Sequence, residues 1–195
     1  MFAPIRIVYS FRPRAPIAIL VAAAAVAMLF SATPFLVPEI ATRYRVSEGL
    51  AGGISVAQVG AFALASLLLP RLSAPTGLLL RASSLALMAA NLLSALVGTF
   101  WMLIVLRLLA GAAAGSLTWI VWSDAMRQPR SLAGVASAGP VTALVSAPAF
   151  AMLADLGDRA IFAVLAAAVL PDIFLRFEPE ISASRTSRVS RSRSN

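Results

Sequence analysis

Arg107 opens the segment RLLAGAAAG, residues 107–115, inside the apolar stretch FWMLIVLRLLAGAAAGSLTWIVW, residues 100–122. A guanidinium at the centre of a membrane helix costs roughly 2.5–3.5 kcal/mol on insertion scales, so water, a ligand or a polar partner has to offset it. Arg107, Gly111 and Gly115 follow one another at four-residue steps. On a helix this sets them along one flank, drifting about 40° per step. Two chemistries suit the arginine. It can line a transport cavity, meeting an anionic or polar substrate group or taking part in coupling. It can also be structural, tied to backbone carbonyls or reaching outward to the nearer helix end. The glycines would let a second helix approach closely.

Other polar side chains within apolar stretches are sparser. Gln58 can hydrogen-bond a substrate or bridge two helices, and Ser31 and Thr33 can face a cavity or bond their own helix backbone. Asn91 suits helix packing. Trp119 and Trp122 suit the aromatic belt at a membrane interface. Asp124, with Arg71 and Arg81, could form a salt bridge latching helix ends, or each could be a solvated loop charge.

The chain has neither Cys nor His, which removes thiol nucleophiles, imidazole bases and the common zinc ligands. Every acid falls at the edge of an apolar stretch or between two, which leaves no aspartyl dyad within a span. No enzyme, metal site or cofactor is expected. All 16 basic residues are Arg. The formal charge of +8 sits between apolar stretches and at the two termini, without an RNA-binding module beside it, so nucleic acid is not an expected partner.

These residues lie on a chain that is 60% hydrophobic and only 12% charged, with mean hydropathy +0.89, a composition for lipid rather than water. Six stretches approach the about 20 apolar residues of a span: Pro16–Pro38, Gly49–Pro70, Gly77–Val97, Phe100–Ser123, Leu132–Leu153 and the shortest, Arg159–Leu175. Each should be helical, since backbone in lipid must satisfy its own hydrogen bonds. The expected fold is an all-α polytopic membrane protein of six transmembrane helices. With the N-terminus in the cytoplasm, twelve arginines lie inside and three outside, an orientation with both termini cytoplasmic. The expected organisation is a cytoplasmic segment 1–15, a membrane domain 16–175 and a disordered Arg/Ser tail 176–195. Pro34 and Pro38 should end or kink the first helix, and Pro140 and Pro148 should bend the fifth. LAGGISVAQVGAFALA (50–65) aligns with LAGVASAGPVTALVSA (132–147) at seven positions. In this topology the two run in opposite directions, as two inverted three-helix repeats would.

In order and spacing, three segments resemble the N-terminal half of a major facilitator superfamily transporter of the bacterial sugar- and drug-efflux type. LVPEIATRYRVSEGLAGGISVAQVGAFALASLLLPRL resembles the end of that family's helix 1 through helix 2. RLLAGAAAG resembles its helix 4 pattern. ASAGPVTALVSAPAFAMLADLGDRAIF resembles its helix 5 Gly-Pro pattern, here Gly139-Pro140, and the entry to helix 6. Two features differ: the loop LPRLSAPTGLLLR has no acid, and FSATPF in helix 1 has none either. The resemblance implies a secondary transporter in the bacterial plasma membrane, working by alternating access on an unknown small molecule. It also implies a half-length or truncated chain needing a second six-helix half or a homodimer. The alternative is a non-transporting membrane scaffold or an inactive fragment.

Overall fold

A computed structural model describes residues 15–175, and those residues are helical almost throughout, with no strand among them. The expected N-terminal segment and Arg/Ser tail lie outside the described residues, apart from Ala15. The helices are α1 (Ile17–Ser31), α2 (Thr33–Tyr44), α3 (Glu48–Ala51), α4 (Gly53–Leu72), α5 (Gly77–Leu96), α6 (Phe100–Arg127), α7 (Pro129–Ala154) and α8 (Asp158–Phe174). Connections of one to four residues force successive long helices to run antiparallel. One end of the bundle therefore gathers Tyr44, Val97 and Asp158, and the other gathers Thr76 and Gln128.

Local chemistry explains where several helices start and stop. The Ser47 hydroxyl accepts the Leu50 N–H at 3.2 Å, and the Thr76 hydroxyl accepts the Leu79 N–H at 3.2 Å, capping α3 and α5. Helix α2 ends with Arg45 in the left-handed region (φ 53°), and the Val46 N–H reaches back to the Ala41 carbonyl at 3.1 Å. That is a Schellman-type stop with Arg where Gly is usual.

Four helices are long and apolar enough to cross a membrane: Glu48–Leu72, Gly77–Leu96, Phe100–Arg127 and Ser131–Ala154. A fifth candidate is the pair α1–α2, bent by 49°. The first predicted span is kinked near Pro34 as expected, but it continues past Pro38. The bend falls at Ala32 and the helix resumes through Pro34 and Pro38 as far as Tyr44. Pro34 sits in the first turn of α2, where its missing N–H has no intrahelical role. The sixth predicted span is α8, of 17 residues. At 1.5 Å per residue it measures about 26 Å, short of a hydrocarbon core of about 30 Å. Helix α7 stays one helix through Pro140 and Pro148.

Helix α6 is the hub. Half of its apolar stretch is buried inside the bundle, whereas Glu48–Leu72 and Ser131–Ala154 turn most of their surface outward. The most extensive packing joins α4 to α6, α5 to both α6 and α8, and α1 to α7. The core at these contacts includes Leu29, Leu87, Leu103, Leu117, Ile120 and Phe150, all nearly inaccessible.

Candidate functional site

Gly111 and Gly115 mark the place where α4 lies directly on α6. A Cβ built at Gly111 would stand 2.8 Å from the Gln58 carbonyl carbon and press on its oxygen. One at Gly115 would lie 3.0 Å from Ala65 Cβ and press on the Phe62 carbonyl. Only glycine leaves room for this approach. The Ser66 hydroxyl donates across the same seam to the Gly115 carbonyl at 3.3 Å. Gly139, expected to serve packing as well, differs: nothing lies within 4 Å of where its Cβ would be. Pro140 beside it is exposed.

Arg107 leaves this flank. Its long side chain swings to α5 and α8, where it is fully buried. One terminal nitrogen donates to Asn91 Oδ1 at 3.1 Å; the other donates to the Ala90 carbonyl at 3.2 Å and to Ser94 Oγ at 2.5 Å. Ser94 can accept because its own proton is used on the Ala90 carbonyl at 2.6 Å. The guanidinium carbon lies 4.7 Å from the Phe162 ring centroid, a desolvated cation–π contact worth about 2 kcal/mol. No carboxylate takes part; Nε has no partner. Asn91, Ser94 and Phe162 thus convert a costly charge into a tie among three helices.

A groove opens instead between α1, α4, α6 and α7. It encloses about 260 Å³ and is lined by Phe30, Phe62, Thr118, Val121, Trp122 and Gly139 among others. Phe30 and Phe62 meet edge to face, with centroids 5.1 Å apart. Trp122, expected in an interface belt, lines this groove, while Trp119 packs on the core. The other expected cavity residues disperse. Ser31 bridges α1 to α7 through a 2.8 Å hydroxyl–hydroxyl hydrogen bond with Ser146 and also donates to the Met28 carbonyl at 3.1 Å. Thr33 donates to its own helix, to the Leu29 carbonyl at 3.3 Å. Gln58 is buried at the glycine crossing with its amide nitrogen unpartnered. Ser146 lines a second space, of about 380 Å³, with Met28, Thr142 and Phe150.

At the Gln128 end Arg71 and Arg81 are exposed and Asp124 is buried. The prominent charged network stands at the opposite end, on residues not singled out in the sequence. Arg43 donates to Asp158 Oδ2 at 2.7 Å and to the carbonyls of Ser94, Ala95 and Val97 at 3.3, 3.2 and 2.6 Å. The Tyr44 hydroxyl donates to the Val97 carbonyl at 2.8 Å. Arg43 thereby satisfies carbonyls that the end of α5 leaves over, while Asp158 sits in the first turn of α8; both charges complement helix dipoles. The available signal was an acid following Gly157 at the start of an apolar run, but nothing in the sequence pairs residues 115 positions apart.

No protein-family model, curated protein or solved structure matches this chain.

Proposed function

We propose that the chain is one wall of an alternating-access small-molecule transporter of the major facilitator type, embedded in a bilayer as six helices in two inverted three-helix repeats. The observation carrying this is the groove on the α1, α4, α6 and α7 face, lined by helices from both repeats. The packing pattern supports it. Counting the six proposed spans as α1–α2, α3–α4, α5, α6, α7 and α8, exchange of each span with the one three places on turns the α4–α6 pairing into α7–α1, and α5–α6 into α8–α1; all four are present. The α6–α7 and α7–α8 contacts have no comparable counterparts between α1 and α4 or between α4 and α5. In this reading a second six-helix half, or a second copy, closes the groove, and both termini lie in the cytoplasm. The Arg107 cluster holds the wall together and does not touch the groove.

A non-transporting scaffold or inactive fragment is the second reading. It draws support from the same cluster, because the most conspicuous buried charge is satisfied within the bundle. Expression of the full chain in a bacterial strain stripped of efflux pumps separates the two. Lowered accumulation of at least one compound in a panel of sugars and amphiphilic dyes, restored when Gly139→Trp fills the groove, supports transport. Accumulation equal to that of the empty vector across the panel favours the scaffold.

A further inference from the structure

Asp172 stands in the last turn of α8, fully buried, and neither carboxyl oxygen accepts a hydrogen bond. Its level in the bundle follows from the antiparallel packing of α5 on α8. Arg43 joins Ser94 to Asp158 at one end, and Arg107 joins Asn91 to Phe162 a turn further in. Asp172 is 14 residues beyond Asp158 (172 − 158), and 14 residues back from Ser94 (94 − 14) is Leu80. Asp172 thus stands at the level of Leu80, Ser83 and Ser84, all buried, and the Ser84 hydroxyl has no partner either.

Among the described side chains, the helices packed on α8 supply no cation there. On α5 the nearby charge is Arg81, exposed to the outside of the bundle. Helix α1 carries no charged side chain. On α2, Glu39 and Arg43 belong to the opposite half or end, as do Asp158 and Arg159 on α8 itself. On α7 the one charged residue is Arg130, whose side chain lies outside the described ones. An ionised carboxylate enclosed without donors is strongly disfavoured against its neutral form. A hard metal cation would need about six oxygens, and no group of three or more His, Cys, Asp or Glu side chains that could hold one exists among the described residues. A proton needs only the carboxyl. Directly before Asp172, Pro171 removes one N–H from the helix ladder, so the last turn of α8 is held by fewer bonds than the rest.

We propose that Asp172 is a proton-exchange site in the α5–α8 seam: a neutral carboxyl while the seam is closed around it, a carboxylate when the last turn of α8 opens and admits water. The step is acid–base alone. The carboxyl O–H bond breaks, its electron pair stays on oxygen, and the proton passes to water at the Gln128 end. The site does not depend on the transport reading.

Infrared spectroscopy of the full chain in lipid nanodiscs, for wild type and Asp172→Asn, tests it. The expected result is a carbonyl band of a protonated carboxyl at neutral pH, lost in Asp172→Asn and lost from wild type on alkaline titration, with helix bands unchanged. A wild-type spectrum without the band overturns the proposal. So does a band that Asp172→Asn retains, which would belong to another acid, and so does a band that sodium removes at constant pH, which would place a metal cation at the carboxyl.

Discussion

At Gly111 and Gly115 helix α6 offers no side chain to α4, and backbone meets backbone. Against α5 and α8 the same helix offers one of the longest side chains there is, Arg107, and the gap is bridged by hydrogen bonds and an aromatic face. The two contacts begin one helical turn apart. The first rests on the absence of atoms, so it tolerates no addition. The second rests on a geometry only a guanidinium fork supplies, so it tolerates no approximate replacement.

The glycine side of the comparison breaks most severely. Gly111→Leu forces side-chain carbon into the Gln58 backbone, and a cost of about 3 kcal/mol or more is expected, at the upper end of overpacking. Detergent-resistant helicity on titration with a denaturing surfactant should show it; an unchanged midpoint would mean that α4 does not lie on α6 as described. On the arginine side the order of two substitutions is informative. Arg107→Lys keeps a buried charge but loses the fork, whereas Arg107→Met removes the charge and strands Asn91. The lysine variant should be the less stable by about 1–2 kcal/mol, because an under-satisfied buried charge costs more than its apolar replacement. Lysine at or above methionine in the same titration would show that charge alone, not the fork, holds the seam.

Arg43 sharpens the contrast from the far end. It has the carboxylate that Arg107 lacks, yet three of its acceptors are carbonyls. Asp158→Asn should therefore cost only about 1–2 kcal/mol: the pair is largely enclosed, but the amide keeps an acceptor and the three carbonyls still hold the guanidinium. A loss as large as that of Arg107→Lys would make the ion pair, not the carbonyls, the anchor. The smallest effect belongs to Gly139→Ala: open space surrounds the position, so stability should hold or rise by up to about 1 kcal/mol through better helix propensity.

How much of this was legible in the sequence depends on how local the signal is. Long apolar stretches announce helices because lipid-facing composition is a property of each segment alone. Gly111 and Gly115 announce a close approach, since small residues at four-residue spacing have few other uses. The same spacing does not say which helix Arg107 reaches: six bonds of side chain carry its charge away from the direction of its Cα, which a helical wheel does not show. Gly139 carried the same small-residue signal as Gly111 and faces open space. Arg43, Asp158 and Asp172 read as edge charges, because the contacts that satisfy the first two, and the burial that isolates the third, join residues far apart in the chain. The bend at Ala32 was legible in Pro34, which has no N–H to give the preceding turn, so the helix breaks just ahead of it.

The central claim is that Arg107 is sealed within the bundle while the α1–α4–α6–α7 groove is open. The chain has no cysteine, so single cysteines report this without background. A water-soluble maleimide applied to the full-length variants Ala90→Cys and Gly139→Cys, each reconstituted in lipid nanodiscs, measures it directly. The account predicts rapid labelling at position 139, and at position 90 labelling only after denaturation. Native labelling at position 90 as fast as at 139 would put water beside Arg107 and contradict the account.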